Sequence, residues 1–168
     1  MAKSTFKRSV PLENLIDNFF KSERIEDFSC EGCGQKSDII KSQEIFRFPE
    51  ILIIFIKRFV FYPKPKKLAN SIEIQDPHLD LTNYLYHDSS SPQGKKFVQK
   101  EKKRGHYKLK GFIEHYGEID FGHYVAYCCD EDSGKWTHFN DNKTRLYENS
   151  QFLFDTGSNV YVMFYERC

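Results

Sequence analysis

The last third of the chain constrains the fold most. Four short strand-like segments (residues 107–115, 123–129, 136–139 and 160–166) follow one another with Gly-, Asp- and Asn-rich breaks between them. Each segment carries aromatic residues, and the first two breaks are only seven and six residues long. That combination predicts an antiparallel sheet built from hairpins. Trp136 belongs to its core. The aromatic share, 16% of 168 residues, suits a β-rich core, and the length suits one domain.

The first third adds one helix. Leu12, Leu15, Ile16, Phe19 and Phe20 recur at helical spacing, with Glu13, Asn14, Asp17 and Asn18 opposite them. A short amphipathic helix over residues 12–21 follows, with Ser9 and Pro11 as its start signals. Residues 45–49 and 51–59 read as strands. The run of residues 51–56 is apolar without alternation, which predicts a strand buried on both faces, with Lys57 and Arg58 marking where it emerges. Residues 68–74 allow one more short strand. The predicted class is α+β, mostly antiparallel sheet with a short N-terminal helix, in a single domain over residues 1–168. It divides into residues 9–60 (helix, Cys-x-x-Cys loop and buried strand) and residues 106–167 (the late sheet). Residues 87–105, polar and rich in lysine, read as a flexible basic insertion. Its lysines allow a nuclear-localisation or anion-binding patch, but a solvated loop is the favoured reading.

The net charge of +1 supplies no global attraction to nucleic acid or membrane, so neither is expected as a partner. The longest apolar run is too short to span a bilayer. The first residues lack the apolar core of a signal peptide. Five cysteines without a secretion signal favour reduced thiols, hence an intracellular protein of cytoplasm or nucleus.

Chemistry concentrates around His123. Gly122-His123-Tyr124 opens one strand, and Phe139-Asn140-Asp141 closes the next. Antiparallel pairing brings the two ends together. An Asn or Asp oxygen there can accept the imidazole Nδ1 proton and leave Nε2 to deprotonate a thiol. Gly122 permits close approach of backbone or substrate. These are the base and the orienting residue of a Cys-His-Asn/Asp mechanism. None of the five cysteines fits as the nucleophile. Cys128 and Cys129 lie five and six positions along the strand from His123, roughly 16–20 Å at ~3.3 Å per residue. Cys168 ends the chain. Cys30 and Cys33 have the spacing of half a zinc ribbon, with Gly32 and Gly34 suiting the turn; a plain pair of loop thiols is the alternative.

Taken in order, these motifs resemble the later part of the ubiquitin-specific protease catalytic domain. The resemblance runs through the Leu12–Phe20 helix, Cys30-x-x-Cys33, the strand ending Lys57-Arg58-Phe59, His115-Tyr116-Gly117, the His123 box, Phe139-Asn140-Asp141 and the closing Met163-Phe164-Tyr165-Glu166-Arg167. One position departs: Phe55 stands where many members carry histidine. The resemblance implies the fingers and palm of a papain-like cysteine protease fold. It implies His123 as general base, Asn140 as its orienting residue and Asp141 as a supporting acid. Ubiquitin or ubiquitinated proteins are the implied partners, and cleavage after the ubiquitin C-terminal glycine the implied reaction. No catalytic cofactor is needed. Structural zinc would require a second Cys-x-x-Cys that the family carries upstream. Gly122 and Tyr124, with Glu118 and Asp120 in the preceding loop, would flank the groove for ubiquitin's basic tail, although a solvated turn explains the two acids equally well. The box bearing the family nucleophile has no counterpart here, so the expectation is a chain inactive on its own. A non-catalytic ubiquitin-binding or scaffold relative is the alternative.

Overall fold

The computed structural model describes residues 9–74, 76–87, 90–149 and 159–168. Strand β1 (Ser9–Pro11) leads into helix α1 (Leu12–Phe20), then a hairpin of β2 (Glu23–Ser29) and β3 (Lys36–Lys41). Strands β4 (Ile51–Phe55), β5 (Phe59–Val60), β6 (Lys66–Lys67), β7 (Ser71–Glu73) and β8 (His78–Asp80) follow. A 3₁₀ turn (Thr82–Tyr84) and helix α2 (Pro92–Lys102) precede the late sheet. That sheet comprises β9 (His106–Gly117), β10 (Gly122–Cys129), β11 (Trp136–Asn140), β12 (Lys143–Tyr147) and β13 (Val160–Arg167). None of the described helices is long and apolar enough to cross a membrane.

The main sheet has the order β12-β11-β10-β9-β13-β4, all antiparallel, with β8 pairing the first part of β9. Each of the four predicted late strands is present, lengthened by a residue or two at its ends. Alternation explains their placement, with a bulge in β9 opposite Phe164 and Tyr165 that brings Leu109 and Phe112 onto the same face. Tyr107, Leu109 and Phe112 of β9, Val125 and Tyr127 of β10, Trp136 of β11 and Met163 and Tyr165 of β13 fill one core. Helix α1 lays Leu12 and Ile16 against it, while Phe20 stacks on Tyr84 at 4.4 Å. Pro11 sits at the position before the helix, where its fixed φ costs nothing.

Four expectations need correction. Residues 51–55 do not form a strand buried on both faces: β4 is an edge strand among the described residues, and Ile51, Ile53 and Phe55 are 54%, 59% and 51% exposed. Arg58 does not mark an emergence into solvent. It is buried, and its guanidinium donates to the carbonyls of Val160, Leu68 and Asn70 at 2.5–3.0 Å. Residues 45–49 form no strand; only Ile45 makes an isolated bridge, to Leu85. The polar stretch at 87–105 contains α2, with Ser91 accepting from the Gly94 N–H as its cap. Val98 and Glu101 of α2 are buried, and the Glu101 carboxylate accepts the backbone N–H of Phe48 at 3.1 Å. A segment anchored this way is part of the packed domain.

Candidate active site

The β9–β10 hairpin pairs Gly117 with Gly122, His123 with Tyr116 and Tyr124 with His115. On the other side, Ala126 faces Phe139 across β10 and β11. Continuing that register brings the start of β10 beside the end of β11. There the imidazole Nε2 of His123 lies 2.7 Å from Oδ1 of Asn140. An amide oxygen only accepts, so Nε2 carries the proton and donates it. Nδ1 is left with a free lone pair. This reverses the nitrogen assignment expected from the sequence: Asn140 holds Nε2, and Nδ1 is the basic atom. The imidazole is exposed at the sheet's end, where an incoming group can reach it.

Asp141 plays a different part. It is the first residue of the tight turn joining β11 to β12 and takes a left-handed φ of 53°. Aspartate tolerates that conformation better than most residues. Among the described residues its carboxylate has no hydrogen-bond or ion-pair partner. It begins the turn that follows Asn140 at the end of β11.

Behind the hairpin, His115 is buried at 4% exposure, and its ring lies 4.6 Å from that of Tyr124. Burial, reinforced by the charge of Lys67, pushes its pKa down, favouring the neutral ring. A Cβ on residue 122 would stand 2.1 Å from His115 Nε2 and 2.5 Å from the Tyr116 carbonyl. Gly122 is therefore required by the histidine packed beneath it. Lys67, which no sequence pattern singled out, donates to the carbonyls of His115 and Gly117 and to Asn159 Oδ1. It ties the end of β9, just before the loop to His123, to the start of β13. A lone lysine on a two-residue strand carries no periodic signal, which is why only the structure reveals it.

Glu118 and Asp120 lie in the loop between Gly117 and Gly122, both exposed; the Glu118 N–H donates to the Phe121 carbonyl at 3.0 Å. Tyr124, 55% exposed, borders the same edge. These acids and Tyr124 thus lie exposed on either side of His123 in the chain. Cys128 and Cys129 sit further along β10, and burial raises both thiols above the ordinary value. Neither shares the His123 site.

Cys30 and Cys33 occupy the turn at the tip of the β2–β3 hairpin, remote from the main sheet. Backbone N–H groups of Cys33 and Gly32 hydrogen-bond the Cys30 sulfur and lower its pKa, with the Cys33 side chain adding to the effect. The turn is closed by Cys30 N–H to the Gln35 carbonyl and Gly34 N–H to the Cys30 carbonyl. Among the described residues no group of three or more His, Cys, Asp or Glu side chains converges as a metal set. Two thiols do not fit the closed four-ligand zinc site of a structural centre.

The sequence of residues 3–165 matches the family model for ubiquitin carboxyl-terminal hydrolase. Ubiquitin carboxyl-terminal hydrolase 8 of Saccharomyces cerevisiae is 29% identical over 158 residues, covering 92% of this chain and 32% of that protein. The Drosophila melanogaster ubiquitin carboxyl-terminal hydrolase Usp2 is 32% identical over 163 residues, 93% of this chain and 16% of its own. Putative ubiquitin carboxyl-terminal hydrolase 11 of Arabidopsis thaliana is 28% identical over 99% of this chain and 18% of its own. Among solved structures, the SAGA Ubp8/Sgf11/Sus1/Sgf73 DUB module bound to ubiquitin aldehyde superposes with a TM-score of 0.73 at 26% identity, covering 96% of this chain and 36% of the matched one. The chain thus spans at most about a third of the length of these relatives. Sequence and fold agree: this chain belongs to the ubiquitin carboxyl-terminal hydrolase family, with the mostly antiparallel fingers and palm fold of its ubiquitin-specific members.

Proposed function

We propose that the chain provides the base-bearing part of a cysteine-type deubiquitinase site, acting on the bond after the C-terminal glycine of ubiquitin. The observation that carries this is the 2.7 Å pairing of His123 Nε2 with Asn140 Oδ1, at the accessible end of a family-type sheet. Nδ1 takes the proton of a thiol, and the thiolate sulfur attacks the glycine carbonyl carbon. The tetrahedral intermediate collapses to a thioester as His123 gives its proton to the departing amine nitrogen. Water, deprotonated by the same Nδ1, then releases the ubiquitin carboxylate and regenerates the thiol. Asn140 keeps the ring aligned throughout. Glu118 and Asp120 provide negative charge where ubiquitin's basic tail would pass.

The reacting thiol is none of the five cysteines in this chain. Cys128 and Cys129 are too far along β10, and Cys30 and Cys33 occupy the remote hairpin tip. By this reading the chain alone binds ubiquitin and does not cleave it. Purified chain should leave a ubiquitin–fluorophore conjugate intact, whereas titration with ubiquitin should shift the NMR resonances of His123, Tyr124, Glu118 and Asp120. Cleavage that survives purification would overturn the assignment of the thiol. Unchanged binding by a Glu118→Lys/Asp120→Lys variant would remove the two acids from tail recognition. Absence of any ubiquitin-induced shift would sink the proposal as a whole.

A further inference from the structure

Helix α2 carries an asymmetry that its fold does not require. Its inner face is set by Phe97, which stacks on Phe46 at 4.9 Å, by buried Val98 and by buried Glu101. Its outward positions between 95 and 103 are Lys95, Lys96, Gln99, Lys100, Lys102 and Lys103, all exposed. At ~100° per residue these lysines fan across roughly 160° of the helix surface. The one acid of the helix, Glu101, is turned inward onto the Phe48 N–H, with Arg104 Nε 3.8 Å away. Among the described residues none of the five lysines enters an ion pair.

Helix stability does not explain this pattern. Lysines near the C-terminus suit the helix dipole, but Lys95 and Lys96 lie in the first half, and the first turn holds no acid. Lys96 and Lys100 are a like-charged i,i+4 pair, which weakens a helix. A merely solvated face would intersperse acids among its lysines.

Position separates this face from the hydrolase site. Helix α2 leads into the His106 end of β9, and the His123 hairpin hangs from the Gly117 end. The 12-residue strand between them measures roughly 36 Å at ~3.3 Å per residue. The outer face of α2 is therefore out of reach of a peptide threaded past His123.

We infer that the outer face of α2 docks an acidic segment of a partner protein. Charge complementarity selects an anionic partner, and the details favour protein. The lysine-bearing positions include no aromatic side chain on which a base could stack; the exposed rings of Phe46 and Tyr86 lie on the Phe97 side of the helix, away from the lysines. The lysine cluster covers only one short helix of a chain whose net charge is +1, and it forms no long row to follow successive phosphates. Flexible point charges spread over a convex ridge match carboxylates of an adaptable acidic segment.

The test is fluorescence anisotropy with the full 168-residue chain and three probes. These are a labelled peptide of alternating Asp and Glu, a mixed-sequence duplex DNA and phosphatidylserine vesicles. The expected result is saturable peptide binding that weakens with added salt. It should fall ~10-fold or more in a Lys95→Glu/Lys96→Glu/Lys100→Glu/Lys103→Glu variant. The corresponding Lys→Gln variant should give an intermediate loss, and far-UV circular dichroism should show that both retain their helix and sheet. The inference is overturned by tighter binding of DNA or vesicles than of peptide, by peptide binding that the charge reversal leaves unchanged, or by no binding to any probe. Binding is read without cleavage, so the outcome is independent of the role of His123.

Discussion

At the scale of single residues, one hydrogen bond among the described residues holds His123, and that bond determines which of its nitrogens is basic. The strand pattern and the Asn140 position made the pairing legible in the sequence. The identity of the nitrogen was not, because ring orientation depends on where the strand ends lie relative to each other. With Nε2 donating to Asn140 Oδ1, the neutral ring is fixed as the Nε2–H tautomer. Replacing Asn140 with Ala removes the hydrogen bond that selects it. Long-range nitrogen–proton NMR should then show the two His123 nitrogens averaging toward each other. Distinct nitrogen shifts that persist in Asn140→Ala would mean that something else orients the ring. Gly122 makes the companion case. The sequence suggested room for substrate, whereas the structure shows the His115 ring where a methyl group would go. Gly122→Ala should lower stability by ~1–3 kcal/mol, the usual cost of overpacking. Adding His115→Ala should recover part of that loss in urea unfolding, and only part, because the Tyr116 carbonyl remains 2.5 Å away.

At the scale of elements, legibility followed burial. Strands β9, β10, β11 and β13 announced themselves because one face of each is in the core and Gly or Asp breaks bound them. Strands β2 and β3 did not, because the hairpin stands away from the core and nearly every position is exposed, leaving no alternation to read. Helix α2 was hidden by its lysines: its inner face holds only two large apolar residues, and its third anchor is a glutamate. That anchor makes a sharp prediction. Glu101→Ala strands the Phe48 N–H at a site where Phe48 is 1% exposed, which should cost ~1–3 kcal/mol in urea unfolding. Gln99→Ala, on the outer face of the same helix, should stay within about 0.5 kcal/mol of the parent. Equal effects would show that Glu101 is no cap. Strand β9 carries a second buried acid. Burial is the main cause raising the Glu114 carboxyl above its ordinary 4.5, outweighing hydrogen bonds from Tyr116 and Tyr127 and the charges of Arg58 and Lys67. The folded state therefore keeps a proton that the unfolded chain releases first. The resulting stability is present below about pH 4.5 and is lost as pH rises through the raised folded value. Glu114→Gln, which does not titrate, should flatten that decline in urea midpoints measured across the acid range. A decline of unchanged slope would place its origin elsewhere.

At the scale of the whole molecule, the sheet has one face more apolar than solvent exposure favours. The unbroken run at residues 51–56 suggested a strand covered on both sides, yet in β4 only alternate residues are covered. Ile51, Ile53 and Phe55 point outward beside exposed Phe61. Sequence pattern reports what a residue is suited to bury, and the structure reports what this chain buries by itself. The two differ here because β4 is an edge strand with its outer face unpaired among the described residues. An apolar face joined to an open strand edge is a template for self-association, since both hydrophobic contact and ladder hydrogen bonds are available. The chain in isolation should therefore associate as its concentration rises, seen by light scattering. Ile53→Lys/Phe55→Lys should suppress that association while leaving the circular dichroism spectrum and urea midpoint close to the parent, because both side chains are already more than half exposed. Scattering that is indifferent to the two lysines would move the sticky surface away from β4. A large fall in the urea midpoint would instead show that the outer face of β4 is buried within the folded chain.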